Sequence, residues 1–352
     1  MSKPRTRELG VPLDGTPGPL NALTDVPGVE VGHVTLISDP PTKGAIRTGV
    51  TAIHPRGRDA SDEVYASYFR MNGAGELTGT AWIEEAGVLE GPVAFTNTLA
   101  VGTAHTALVR WWVERGHDPA REFPLPVVGE TWDGYLNDIG ALAVEPAHVL
   151  AALREARPGP IPEGSVGGGT GMSAFGFKGG IGTASRTVRT GSDEYRLGVL
   201  VQANHGDRGQ LRICGRTVPA PPAREEAPTG EQGSVLVLVG TDAPLDAHDL
   251  ARLARRAPLG LARTGSVAGD LSGDLVLAFA TGRVPPRARD RGRLAEGLGH
   301  SALDPFFSAS VEATEEAVLN ALIAAETMVG YRGHRVEALS HETVRRTFRT
   351  PR

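Results

Sequence analysis

Gly233-Ser234-Val235-Leu236-Val237-Leu238-Val239 is the stretch on which the reading of this chain turns. A short, unbroken apolar run rich in valine reads as a buried strand. What precedes it is different in kind. Pro219 to Gly233 is rich in Pro, Glu and Ala and reads as an exposed connection. A polar linker ends, and a buried strand begins, at one Gly-Ser junction. Gly164-Ser165, Gly191-Ser192 and Gly265-Ser266 share the dipeptide without this setting and read as turns.

Working outward, Asp274 to Ala280 is a second short apolar run that reads as a buried strand, and Tyr195 to Ala203 reads as a longer one. Val29, Val31 and Val34 after Pro27-Gly28, Gly49 to Ile53, and Pro92 to Thr96 add three more. Helical spacing appears in Thr103 to Arg115, where Leu108, Trp111 and Trp112 recur, the two tryptophans being expected as packing residues. Pro146 to Glu155 has proline placed for a helix start. Asp246 to Arg256 opens on an Asp cap, with Leu250, Leu253 and Ala254 on one face. Glu312 to Met328 reads as a helix with an acidic first turn and an apolar stripe of Val318, Leu319, Leu322 and Ile323. Arg283 to Arg293 reads as a second exposed connection. There is no fixed repeat and no clean βαβ rhythm. The expectation is a layered α/β or α+β fold, a sheet pair covered by helices on both outer sides, with residues 1–352 forming one domain.

The composition narrows the function classes. The chain has 352 residues, 40% apolar and 22% charged, with a formal net charge of −5 and the signs well mixed. That is ordinary for a soluble globular protein, and without a basic stripe nucleic acid is not an expected partner. Cys214 stands alone, so it can form no intrachain disulfide and no cysteine-based zinc cluster; it is expected as a small buried or half-buried residue. The ten histidines form no His-Glu-x-x-His motif or other compact ligand pair, so no metal is expected. Met1 to Pro19 lacks the apolar core of a signal peptide, and no run approaches the ~20 apolar residues of a spanning helix. The expected location is the cytoplasm.

Two segments compete for the chemistry. Val166-Gly167-Gly168-Gly169-Thr170-Gly171 fits a degenerate dinucleotide fingerprint. The proline-rich residues before it cannot be a central strand, and no Gly-Lys-Ser follows. Nucleotide binding through Gly169 to Gly171 stays open as an alternative, beside a tight loop or a pocket wall. The other segment is the Gly233-Ser234 junction. No Gly-x-Ser-x-Gly elbow is present to anchor a different serine. At this junction a serine hydroxyl can attack the preceding carbonyl, shift the acyl group from nitrogen to oxygen, and after hydrolysis become an amino-terminal residue. The freed α-amine, with a reference pKa of ~7.7–8.0, is then able to act as the base for its own hydroxyl.

Several longer motifs carry a resemblance. They are Leu23-Thr24-Asp25-Val26-Pro27-Gly28-Val29-Glu30-Val31-Gly32-His33, Asn72-Gly73-Ala74-Gly75-Glu76-Leu77-Thr78-Gly79, Val127-Val128-Gly129-Glu130-Thr131-Trp132-Asp133-Gly134-Tyr135-Leu136-Asn137-Asp138, Gln202-Ala203-Asn204-His205-Gly206, Thr241-Asp242-Ala243-Pro244-Leu245 and Leu271-Ser272-Gly273-Asp274. In this order, from about Leu20 to Leu339, the chain resembles the L-aminopeptidase/D-esterase and β-aminopeptidase family of self-processing N-terminal serine hydrolases.

The resemblance implies a four-layer αββα sandwich of the Ntn-hydrolase kind. It also implies scission between Gly233 and Ser234 into fragments 1–233 and 234–352, a homotetramer of processed units, and no cofactor. It places the nucleophile on Ser234, its support on Ser272 and Asp274, the oxyanion donors on Tyr135 and Asn204, and the receptor for a substrate's amino group on Glu130. Some relatives have Glu where this chain has Asp274. Taken singly, each residue also has an ordinary reading: Tyr135 a core-edge tyrosine, Asn204 a turn residue, Glu130 and Asp274 caps or solvated carboxylates, Ser272-Gly273 a turn. An unprocessed binding protein of the same fold is the remaining alternative. Preference among L-, D- and β-amino-acid substrates is not legible.

Overall fold

The computed structural model of the chain describes residues 3–60, 63–221, 233–283 and 302–349. Most of both expected connections therefore lies outside the described residues. The strands that carry the architecture are β1 (Glu30–Ser38), β2 (Ile46–His54), β3 (Val64–Arg70), β4 (Val88–Leu89), β5 (Val93–Asn97), β6 (Val127–Thr131), β7 (Gly180–Thr190), β8 (Asp193–Asn204), β9 (Ser234–Thr241) and β10 (Gly273–Ala280). The helices are α1 (Thr80–Ala86), α2 (Val101–Glu114), α3 (Pro146–Glu155), α4 (Ala247–Ala254), α5 (Ala257–Arg263), α6 (Asp304–Ala324) and α7 (His341–Arg349).

One sheet has the order β1-β2-β5-β6 and the other β4-β3-β10-β9-β8-β7. Pairing is antiparallel except for β5 with β6 and β9 with β10. The two sheets stack face to face. β9 shows how its own sequence does this. Leu236 and Leu238 alternate onto the face that meets Phe95, Val93 and Val127 of the first sheet, while Val235, Val237 and Val239 face a separate core built with α4, α5 and α6. A strand buried on both faces has no polar side to show, hence the unbroken apolar run. Each fully buried Val or Leu there contributes about 1.5–3 kcal/mol. The outer face of the first sheet, with Val50, Ala52, Ala94 and Val128, packs on Ala104, Leu108 and Trp111 of α2 and Val149 and Leu153 of α3. Helix, sheet, sheet and helix make the αββα sandwich, as the resemblance implied.

The long helix differs from its sequence reading. It runs from Asp304 with Pro305 in its first turn, not from Glu312, and it stops at Ala324 rather than Met328. The expected acidic first turn lies mid-helix instead. There Glu312 and Glu316 meet the buried guanidinium of Arg186, and Glu315 meets Arg263. Buried carboxylates inside a helix are tolerable only when paired in this way. The Asp246 cap is present, its side chain accepting the Asp249 amide at 3.0 Å. The following α5 was not anticipated. Trp111 is buried in the α2 core, and Trp112 stacks on His117 at 4.6 Å.

The glycine-rich segment is consumed by the protein itself, which counts against nucleotide binding there. The Gly167 and Gly168 amides donate to Thr35 Oγ1 and Thr51 Oγ1, and those of Gly169 and Thr170 to carbonyls of their own loop. A Cβ on Gly168 would stand 2.1 Å from Gln202 Oε1. No amides are left to cradle a phosphate at these four positions. The loop is packing between the sheets, the ordinary reading.

A cavity of about 500 Å³ opens at the other pole of the first sheet, beside His54, Trp111, Trp112 and Pro126. Its charged groups are already engaged. Arg56 and Arg58 donate to the carbonyls of Arg283 and Arg154, Glu90 takes the Trp82 indole N–H, and Glu122 takes His117. Among the described residues, no helix is long and apolar enough to cross a membrane, and no cluster of three or more metal-ligating side chains occurs.

Candidate active site

Strand register assembles the site. β9 starts at Ser234 and lies between β8 and β10. Asn204, the last residue of β8, pairs with Ser234 on one side, and Gly273, the first of β10, pairs with it on the other. Side chains alternate along a strand, so Ser234 shares the inter-sheet face with Leu236, and Asn204 shares it with Leu200. The hydroxyl and the Asn204 amide thus stand on the same face, toward the first sheet. Ser234 is buried, 4% exposed.

The bond before Ser234 is held from both sides. The Gly233 carbonyl accepts the Gly273 amide at 3.0 Å. A Cβ on Gly233 would lie 2.1 Å from the Asn204 carbonyl oxygen, so the backbone leaves room for glycine alone.

Ser272 Oγ donates to Asp274 Oδ1 at 2.7 Å, and both residues are buried. The two do lie on one side, as their spacing suggested. Asp274 pairs with Val235 rather than with Ser234, and Val235 belongs to the outer core. The carboxylate therefore comes to the head of β9 from the face opposite the Ser234 hydroxyl. Asn72 fixes it there. Asn72 Oδ1 accepts the Asp274 amide at 2.6 Å, and Asn72 Nδ2 faces Asp274 Oδ2 at 3.5 Å and the Gly269 carbonyl at 3.1 Å.

Glu130 is the last residue but one of β6 and only 2% exposed. Its Oε1 accepts the Glu76 amide at 2.9 Å, and its Oε2 accepts the Thr98 hydroxyl. Burial pushes its carboxyl above the usual range, and the charge that acts on it, Glu76, has the same sign. Among the described residues no cation pairs with it, and it caps no helix. Gly75 ties it to β10, the strand beside that of Ser234, since a Cβ there would stand 3.1 Å from Glu130 Oε1 and 3.3 Å from Gly273 Cα.

The Asn204 amide is oriented by two backbone groups. Its Oδ1 accepts the Ser173 amide at 2.8 Å, and its Nδ2 donates to the Trp132 carbonyl at 2.8 Å. Trp132 opens the turn that carries Tyr135, whose ring stacks on His334 at 4.3 Å. Ser234, Asn204, Ser272 and Asp274 are thus joined by the register of one sheet and Glu130 by Gly75. Tyr135 sits on the turn that Trp132 opens, stacked on His334.

The sequence model of peptidase family S58 matches residues 21–336. The chain belongs to peptidase family S58. The S58 chain is 45% identical to a β-peptidyl aminopeptidase, BapA, of Sphingosinicella xenopeptidilytica, over 99% of its own length and 92% of the relative's. Among solved structures it is similar to the L-aminopeptidase D-Ala-esterase/amidase of Ochrobactrum anthropi, described as a new variant among the Ntn-hydrolase folds. The TM-score is 0.91 and the identity 44%, covering 99% of this chain and 98% of that one. It is also similar to a β-aminopeptidase of a Burkholderia species, with a TM-score of 0.88 and 43% identity over 98% of each chain. The S58 chain is accordingly a hydrolase of the Ntn type.

Sequence reasoning gave no role to several residues of this S58 site. Gln202 lies fully buried between the sheets and donates from Nε2 to the Thr96 carbonyl and to Thr131 Oγ1, each at 2.9 Å. It pins the strand of Asn204 to the strand of Glu130. His205 is buried edge-on to Phe175, with neither ring nitrogen hydrogen-bonded among the described residues, and burial lowers its pKa to about 4. Their signal was position alone: both flank Asn204 in one motif.

Asp133, next to Trp132, is fully buried, and burial lifts its carboxyl from 3.8 to about 7 although Asn137 Nδ2 donates to it at 3.0 Å. A folded-state value above the unfolded one favours folding below the unfolded value, and that advantage is lost as pH rises through about 7. Asp133→Asn removes the titration. In urea unfolding of the Ser234→Ala chain, the form keeping Asp133 should lose about 4 kcal/mol relative to the same chain carrying Asp133→Asn between pH 4 and pH 8. Parallel curves over that range would refute a buried, proton-binding Asp133.

Proposed function

We propose that this peptidase is an aminopeptidase that cuts itself between Gly233 and Ser234, then removes amino-terminal residues from peptides, amides or esters through an acyl-enzyme on Ser234. The observation that carries the reading is the junction itself: a buried serine heads a strand, and the carbonyl before it is held by the Gly273 amide at 3.0 Å.

In the first reaction Ser234 Oγ attacks the Gly233 carbonyl carbon and its proton passes to the departing nitrogen. The amide C–N bond breaks as the ester C–O bond forms, and the Gly273 N–H steadies the oxyanion. Water hydrolyses the ester, leaving a carboxylate on Gly233 and a free α-amine on Ser234. In the second reaction that amine, neutral above its reference pKa of ~7.7–8.0, takes the hydroxyl proton as Oγ attacks the substrate carbonyl. Ser272 and Asp274, coming from the amine's side of the strand, hold the amine. Asn204 and Tyr135 receive the oxyanion, the leaving amine or alcohol takes the proton, and water releases the acyl group. Glu130 meets the substrate's ammonium. The similarity to a β-peptidyl aminopeptidase and to an L-aminopeptidase D-Ala-esterase/amidase supports this substrate class. The homotetramer follows from the resemblance.

Intact-mass analysis of the purified protein tests the scission. Two fragments meeting at 233/234 are expected; an uncut but active chain would overturn the mechanism, and an uncut inactive one would favour a binding protein. Glu130→Gln tests the amine site. It should raise KM for an amino-acid p-nitroanilide about 10- to 100-fold, the cost of a charge-assisted bond, with kcat little changed. In the wild type KM should climb as pH falls, beginning above the ordinary carboxylate range because the Glu130 carboxyl is raised. The Gln variant should lack that climb.

A further inference from the structure

The segment Asn72–Glu76 touches both acids of the site. Asn72 holds Asp274 at one end, and the Glu76 amide holds Glu130 at the other. Between them Ala74 and Gly75 fill the space over Gly273: a Cβ on Gly273 would stand 2.5 Å from the Ala74 carbonyl oxygen and 2.8 Å from Gly75 Cα. Gly75 in turn is the layer between Gly273, the parallel partner of Ser234, and the Glu130 carboxylate. Its φ lies outside the left-handed region, so the backbone alone does not require glycine. What requires it is thickness.

We propose that Gly75 is a specificity-determining spacer, its missing side chain setting the reach between the acid that receives the substrate's ammonium and the serine that attacks its carbonyl. The inference rests on the proposed role of Glu130. An α-amino acid has one carbon between amine and carbonyl, and a β-amino acid has two, about 1.5 Å more chain. A methyl group at 75 would lie 3.1 Å from Glu130 Oε1 and 3.3 Å from Gly273 Cα, contacts that demand a few tenths of an ångström. Gly273 is backbone, paired with Ser234 of β9 and held by its own amide on the Gly233 carbonyl at 3.0 Å. The carboxylate is the end of a side chain and yields, moving away from the strand of Ser234. The longer substrate follows it; the shorter one loses its ammonium contact or its approach to Oγ.

The test uses the purified full chain with Gly75→Ala, and matched p-nitroanilides of alanine and of its β-homologue. Gel analysis should show the same two fragments as wild type, because self-scission does not use Glu130. The kcat/KM for the α-substrate should fall about tenfold, the order of one weakened charge-assisted hydrogen bond, and that for the β-substrate by less, so the β-to-α ratio rises. An unchanged or lowered ratio overturns the proposal. Glu130→Gln separates the two levels. If it leaves KM unaltered for both substrates, the amine site itself is wrong. If it raises KM for both while Gly75→Ala leaves the ratio alone, only the spacer is wrong. Gly75→Ser, of nearly the same bulk, should reproduce the shift; a misfolded Gly75→Ala chain is then recognised by its lost fragments and lowered melting temperature.

Discussion

Ser234→Ala is expected to yield one full-length band on a denaturing gel and no measurable hydrolysis of any amino-acid p-nitroanilide. Both losses have one origin. The Ser234→Ala chain has no Oγ to attack the Gly233 carbonyl, so the amide survives, and no α-amine is released to serve as base. Even a small amount of chain cleaved by other means would lack the nucleophile. The substitution removes one buried oxygen from a residue that is 4% exposed and leaves the β8-β9-β10 pairing intact, so the melting temperature should stay within a few degrees. Ser234→Cys is the informative companion. A thiol can make the same acyl shift, so slow scission with weak activity is expected. Two fragments from the Ser234→Ala chain would remove Ser234 from the mechanism.

The sequence carried more of the layers than of the connections between them. β9 and β10 were legible because strands buried on both faces are apolar throughout, whereas β7 escaped notice. Its Gly182 and Ala184 are small because α6 lies on them, a Cβ on Gly182 standing 2.0 Å from the Ala317 carbonyl oxygen, and Gly180 lies against the backbone of Gly164. Close helix-on-strand packing selects against the valines and aromatics by which strands are recognised. The start of α6 was misplaced for a related reason: acids that look like a first turn are ion-paired in the core, and the true start lies at Pro305. At the candidate site, the motifs named Ser234, Asn204, Ser272, Asp274 and Glu130, which the fold brings together. That Asn204 and Gly273 flank Ser234 depends on register, which no local pattern states. The work of Asn72, Gly75 and Gln202 is likewise made of contacts more than fifty residues apart in sequence, such as Asn72 with Asp274 at a separation of 202.

Asn204→Ala should lower kcat about 10²- to 10³-fold with KM nearly unchanged, the usual cost of one oxyanion donor. The expectation rests on how the amide is aimed. Ser173 N–H fixes Oδ1, so Nδ2 is turned the other way, and one of its hydrogens goes to the Trp132 carbonyl. An amide group has two such hydrogens. The second lies on the inter-sheet face that Asn204 shares with Ser234, already oriented before any charge develops on the substrate. Alanine removes the donor but keeps the backbone pairing of residue 204 with residue 234. It also frees Ser173 N–H and the Trp132 carbonyl, and the Trp132 turn carries Tyr135, so both donors loosen together and Tyr135→Phe combined with Asn204→Ala should cost less than the product of the two. Self-scission has the Gly273 amide on its own carbonyl and should slow by less than turnover does. Rates must therefore be divided by the fraction of cleaved chain. A fully cleaved Asn204→Ala enzyme within a few-fold of the wild-type kcat would leave Asn204 a structural residue at the end of β8, and the oxyanion would need another donor.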